Sequence, residues 1–417
     1  MRCRVGAFLL TFAALGFGGT VDRNLSARIT KGTTDERIKL YERLLASSPN
    51  DLQLQGGLIA VYLQKLRESS DFTYLDRAAK LTDSMLAREG GNFAALRFQN
   101  EIDLQRHNFQ AVVDRAGDMA KYAPSDQGTW GNLGDALMEL GEYQNAGQAY
   151  LRMFALGPNL GSYNRLAYFH FVTGEPEKAI GLMRDAIASA DPLPENIAWC
   201  WAELGDMYFK TGRLPEAAEA YHAAISLFPP LHRAFAGLGK VAATRGEIEI
   251  AIENYKHAQA IVPLVEYAGA LEDLYTTSHM ASKAQEQRDL IEAIETLGRA
   301  ANEKTNRNLA LLLADHNRHL DVALGLMQAE IPVRGDVYTW DALAWVLFKN
   351  GRSIEARTAS LKAVKLGTPE PVFYFHASKI AQACGDEEAA IGYSKRLSAL
   401  NDRFDFGKSE TASRVAR

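Results

Sequence analysis

Three short constellations in this sequence have residue types that could do chemistry. His316 and His319 stand three apart beside Asp315 and Asp321, a spacing that could turn two imidazoles to one helix face as metal ligands. Gly237-Leu-Gly239-Lys240-Val-Ala242 has the spacing of a dinucleotide loop. Glu387-Glu388 sets two carboxylates side by side. Each lacks its complement. The histidines have no third ligand in sight and fall near a turn between helical stretches, which reads as a solvated cluster. The glycine stretch follows no strand, and Gly239-Lys240 lacks the Ser or Thr of a phosphate loop. The acidic pair suits an exposed helix start, where carboxylates face unpaired N–H groups. Neither His-Glu-x-x-His nor Gly-x-Ser-x-Gly occurs. The expectation is a non-enzyme with no catalytic set, no metal and no cofactor.

The elements that carry these residues repeat. Trp201, Leu204-Gly205, Tyr208, Gly212, Ala217, Tyr221, Ala224 and Pro229 recur 34 residues on as Phe235, Leu238-Gly239, Ala242, Gly246, Ala251, Tyr255, Ala258 and Pro263. Further copies open at Trp130, Tyr163, Trp340 and Tyr374. Such a period means stacked supersecondary units in place of one globular core. Glycines 141, 174, 212, 246, 351 and 385 fall where a first helix should stop in a left-handed cap. Gly134, Ala167, Gly205, Gly239, Ala344 and Ser378 sit seven earlier and let two helices approach. Ala146, Ala179, Ala217, Ala251, Ala356 and Ala390 supply the facing surface, and Pro158, Pro229 and Pro263 end the second helix. Gly239 and Ala242 are thereby already explained by packing.

These slots resemble the tetratricopeptide repeat family, and more loosely the closing repeats of its exported bacterial members. The resemblance implies an all-α, right-handed superhelical solenoid of antiparallel helix pairs, about ten in all. A single helix from Asp35 to Ala46 covers the first edge, and an N-terminal array spans 35–265. Within it, residues 93–126 form a weaker copy with Asn100 in the small-residue slot, and Arg67–Asp71 lengthens a turn. The pattern fades over 266–336, where Met280 replaces the turn glycine; this stretch reads as two diverged repeats, with a helical linker as the alternative. A C-terminal pair covers 337–404 and a polar, disordered tail 405–417. Family geometry also implies a groove on the inner curve. Its expected members are Asn164, Tyr168, Phe171, Trp199, Ala202, Asp206, Phe209, Arg233, Ala236, Lys240, Tyr338, Asp341, Trp345 and Phe348, with the aromatics as anchors. The Lys and Asn pattern of the family's chaperone-tail binders is absent.

The chain has 417 residues, 47% hydrophobic and 23% charged, enough for a folded core, and a net charge of −5 argues against nucleic acid. Met1-Arg-Cys-Arg4 is followed by an uncharged run from Val5 to Gly19, which at 1.5 Å per residue spans roughly 22 Å. That is short for a bilayer and reads as a signal peptide over 1–20, followed by a polar linker over 21–34. An uncleaved membrane anchor is the alternative. Cys200 and Cys384 lie far apart in helical segments and read as buried thiols without a disulfide. The expected function is an exported (periplasmic or extracellular) scaffold that binds a protein or peptide partner, in cell-envelope assembly and possible association with a membrane complex. A regulatory or adaptor subunit of an enzyme complex is the alternative.

Overall fold

The computed structural model describes residues 32–189, 191, 193–300 and 306–403. The leader, most of the 21–34 linker and the 405–417 tail lie outside them. Among the described residues there are twenty-one helices and no strands, and no helix is long and apolar enough to cross a membrane. Helix α1 (Thr34–Ser47) stands alone; its Thr33 hydroxyl and Glu36 carboxylate form a capping box. The other twenty pair in order. The first five pairs are α2 (Leu52–Ser69) with α3 (Thr73–Arg88), α4 (Phe93–Gln105) with α5 (Phe109–Tyr122), α6 (Gln127–Glu139) with α7 (Tyr143–Ala155), α8 (Leu160–Val172) with α9 (Pro176–Ala188), and α10 (Pro194–Lys210) with α11 (Leu214–Leu227). The second five are α12 (His232–Arg245) with α13 (Ile248–Ile261), α14 (Val265–Thr277) with α15 (Ala281–Ala300), α16 (Arg307–Asp315) with α17 (Leu320–Glu330), α18 (Val337–Lys349) with α19 (Ser353–Ala363), and α20 (Pro371–Ala383) with α21 (Glu387–Leu400).

Turn chemistry sets this rhythm. All six turn glycines read from the repeat have left-handed φ, between 74° and 86°. Where glycine is missing, another residue takes the same strained conformation: Ser70, His107, His279 and Asn317 have φ of 52°, 61°, 58° and 50°. The turn of α14–α15 therefore bends at His279, one residue before Met280. The polar run after Arg67 does not lengthen a turn as expected. It continues α2 to Ser69, because Ser69 hydrogen-bonds back to the Lys65 carbonyl inside the last turn.

Packing inside each pair follows the small-residue slots. A Cβ added at Gly134, Gly205 or Gly239 would stand under 3.0 Å from the ring of Tyr150, Tyr221 or Tyr255 respectively. The alanine slots 146, 179, 217, 251 and 356 are fully buried. The weaker copy at 93–126 inverts the arrangement: buried Asn100 holds the small slot, and Ala116 stands where Tyr150 stands one unit later. Asn100 Oδ1 accepts from Arg115 Nη1 at 2.8 Å, so the polar intruder has a partner. Cys200 is buried, but Cys384 caps the end of α20, half-buried, with its Sγ donating to the Ser353 carbonyl.

The superhelix returns upon itself. The last carbonyls of α6 and α8 would be orphans of helix termination, and that of Phe209, near the end of α10, has a local donor in the Gly212 N–H with a lone pair to spare. Donors almost 200 residues further along the chain satisfy them. Gly335 N–H donates to the Glu139 carbonyl at 2.9 Å, Thr368 Oγ1 to that of Val172 at 2.6 Å, and Asn401 Nδ2 to that of Phe209 at 3.1 Å. Val337 N–H donates to the Tyr143 hydroxyl at 2.8 Å, and Lys210 pairs with Glu370 at 2.7 Å. Successive turns of the solenoid are thus bonded edge to edge, and the inner curve is closed into a lumen.

Candidate functional site

The lumen is a cavity of about 380 Å³ between α6, α8, α10, α12, α14 and the returning segment 307–338. Its wall follows one helical position. In four units the residue just after the small slot turns into the lumen: Asp135, Tyr168, Asp206 and Lys240. Glu101 holds the same position in α4 but is buried outside the lining. At 3.6 residues per turn, positions seven and three earlier and four later share that face. From Asp206 these are Trp199, Glu203 and Lys210; from Asp135, Glu139; from Tyr168, Arg165; from Lys240, Arg233.

Most of its charges are matched across neighbouring units. Arg165 grips Asp135 with Nε–Oδ1 2.9 Å and Nη2–Oδ2 2.8 Å, both side chains buried, and the Tyr150 hydroxyl donates to the same carboxylate at 2.9 Å. The next copy repeats the triad. Arg233 reaches Asp206 at 2.9 Å and Glu203 at 2.7 Å, Tyr221 donates to Asp206 at 2.7 Å, and the Arg233 guanidinium lies 4.2 Å from the Trp199 ring centre. Burial raises the Asp206 carboxyl, but Lys240, Arg233 and Lys210 outweigh it and hold it below the usual carboxylate range. Arg307 reaches both oxygens of Asp336, at 3.0 and 3.1 Å. Arg334 pairs with Glu139, whose burial pushes its carboxyl up to about 7. Burial and the nearby Arg233 push His232 down to about 4, so it is neutral and shares a 2.7 Å hydrogen bond with the Tyr267 hydroxyl.

Of the expected groove residues, Asn164, Tyr168, Trp199, Asp206, Arg233, Ala236, Lys240 and Tyr338 line this cavity. Asn164 is buried with its amide near the sulfurs of Met183 and Cys200, and Trp199 shows only 5% of its surface. Phe171, Ala202, Phe209, Asp341, Trp345 and Phe348 do not line it. Phe171, Phe209 and Phe348 stand three residues after the position that follows the small slot, which rotates them by roughly 60° toward the neighbouring helix. Ala202 and Phe171 are core, and Asp341 is buried with its Oδ2 2.9 Å from His376 Nδ1. Trp345 is fully buried: its ring stacks on His376 at 4.0 Å and its Nε1 donates to Asp315 at 2.7 Å. Asp135, Glu139, Arg165, Glu203, Lys210, Glu266, Arg307 and Asp336 line the lumen without having been singled out from sequence. The signal was available, since Asp135 follows Gly134 as Asp206 follows Gly205.

The chemical constellations are dispersed. His316 hydrogen-bonds Asp273 at 2.9 Å and His319 bonds Glu295 at 2.9 Å, on different neighbours. No group of three metal-ligating side chains occurs among the described residues. Gly237–Ala242 lies inside α12, and Glu387-Glu388 forms the exposed first turn of α21.

Comparison with known proteins agrees with the repeat geometry. Residues 95–160 and 198–231 match the tetratricopeptide repeat family; these are the pairs α4–α7 and α10–α11. A chain of the crystal structure of the APC/C hetero-tetramer Cut9–Hcn1 superposes with a TM-score of 0.53 at 16% identity, over 79% of this chain and 64% of that one. This chain therefore spans less than two thirds of that protein's length. Two crystal structures of MamA give TM-scores of 0.33 and 0.32 at 23% identity, over 39% of this chain and 92% and 86% of theirs. Among curated proteins none matches the chain. The matched segments are tetratricopeptide repeats, and the fold around them is an all-helical solenoid of antiparallel helix pairs.

Proposed function

We propose that this protein is a non-catalytic scaffold that holds a partner protein, and that it does so outside the cytosol in assembly at the cell envelope. The repeat fold points to protein–protein interaction, because stacked pairs present a long preorganised surface that binds without large rearrangement. The single observation that carries the scaffold reading is the ten-pair array, whose inward charges are largely matched to one another and so hold one shape. The envelope reading rests on the basic start and uncharged run of residues 1–19. The partner's contact surface includes the cavity mouth at Lys240, whose side chain is nearly half exposed.

Crosslinking in the native host, followed by mass spectrometry, identifies the partner. The scaffold reading expects one protein at constant stoichiometry, lost when Lys240→Glu reverses the rim charge. Cell fractionation with N-terminal sequencing tests the location separately. A mature chain found in the cytosol with its first residues intact refutes the envelope role and leaves the scaffold role standing.

A further inference from the structure

The charged wall of the lumen leaves two opposite charges incompletely used. Arg165, Arg233, Lys210 and Arg307 each meet a carboxylate within 3.0 Å. Lys240 does not: its Nζ comes no nearer than 3.8 Å to Asp206, and nearly half of its side chain is exposed at the mouth of the cavity. On the next unit, Glu266 in the first turn of α14 takes the Asn308 amide on Oε1, while its buried Oε2 receives no hydrogen bond from another residue. A buried carboxylate oxygen left unpaired is costly, and such an atom asks for a donor. Lys240 and Glu266 are close enough to act on each other electrostatically without forming an ion pair. Ala236, Tyr255 and Tyr267 line the same cavity.

We propose that the lumen is a binding site for a small zwitterion of the amino-acid class, its ammonium bonded to Glu266 and its carboxylate to Lys240. The volume of about 380 Å³ lies in the range of small-molecule sites. Two separated charges supply orientation, and the tyrosines receive the ligand's side chain. This assignment is independent of the scaffold role and of where the protein resides.

The test is calorimetry and thermal unfolding of the full chain with a panel of free amino acids. The same panel is repeated as N-acetyl acids, which lack the cation, and as amides, which lack the anion. The expected result is a saturable rise in midpoint with at least one free amino acid, lost by both blocked forms. In Glu266→Gln and Lys240→Met the response falls at least tenfold in affinity. The blocked-ligand arm needs no variant, so a variant that fails to fold leaves the test intact. Absence of any response to free amino acids overturns the assignment. So do equal responses to the blocked forms, or a doubly blocked peptide that binds where free amino acids do not.

Discussion

Substituting Glu101 by Gln should stabilise this protein above neutral pH and leave it nearly unchanged in mild acid. Glu101 stands in α4, one residue after Asn100, and is 3% exposed. Burial removes water from its carboxyl and pushes it up to about 7, while Arg97, Arg67 and Arg165 offset only part of that effect. In the unfolded chain it titrates at the ordinary value of 4.5. Between 4.5 and about 7 the folded state keeps a proton that the unfolded state has released. Stability therefore falls as pH rises through this window and levels off above it. At about 1.4 kcal/mol per unit, the full swing is at most roughly 3 kcal/mol. Gln keeps the shape and cannot ionise. Urea unfolding followed by circular dichroism, at about pH 5 and about pH 8, reads the difference, because the variant should gain stability only at the higher pH. A variant that is weaker at both values, or a wild-type slope that survives the substitution unchanged, refutes the reasoning. Glu139, raised by the same cause, keeps part of the slope in both proteins, so the comparison is between slopes.

Other perturbations follow from the packing. Gly134→Ala should cost about 1–3 kcal/mol by driving a methyl into the Tyr150 ring, whereas Gly117→Ala, with open space around it in α5, should gain about 0.5–1 kcal/mol; urea midpoints check both. Trp345→Ala should cost about 3–5 kcal/mol and abolish cooperative unfolding of the C-terminal pairs, since it empties a core site and strips Asp315 of its donor. Unchanged thermal stability would contradict that placement. Thr368→Val should leave the Val172 carbonyl without its donor, cost about 1–3 kcal/mol, and raise hydrogen exchange at the 172–174 turn and around 366–370 while α2–α5 stay protected.

The stacking of this molecule was legible because it is written in side-chain volume and backbone conformation. Gly141 must be left-handed to end α6, and Gly134 must be small for Tyr150 to lie flat. Both demands recur every 34 residues, and a recurring demand leaves a recurring residue type. The same logic reached the diverged turn near Met280 only within one residue, because His279 accepts left-handed φ at a cost that glycine does not bear. The inner face was harder to place. Family geometry put Phe171, Phe209 and Phe348 in the groove, yet these rings stand on the side of their helices that meets the next unit. An aromatic residue there is used in the core, while the wall of the lumen is made of Asp135, Arg165, Asp206 and Arg233. The polar residues at the position after the small slot were the better guide.

Closure of the superhelix was not legible at all, and the reason is physical. What joins one turn to the next is mostly main chain: the carbonyls of Glu139, Val172 and Phe209 receive donors from Gly335, Thr368 and Asn401. Every residue has a carbonyl, so no side-chain pattern marks those three. Their availability comes from helix termination, which the turn residues Gly141, Gly174 and Gly212 impose a few residues later. Helix ends that the repeat creates for local reasons thus become the bonding edge of the whole array. The donors at 335, 368 and 401 recur at steps of 33 residues, whereas the carbonyls they meet, at 139, 172 and 209, stand 33 and then 37 apart. The unit between Gly174 and Gly212 is longer than the one before it, and the contact survives because the Asn401 side chain meets a carbonyl three residues before its turn glycine, where the first two donors meet carbonyls two residues before theirs.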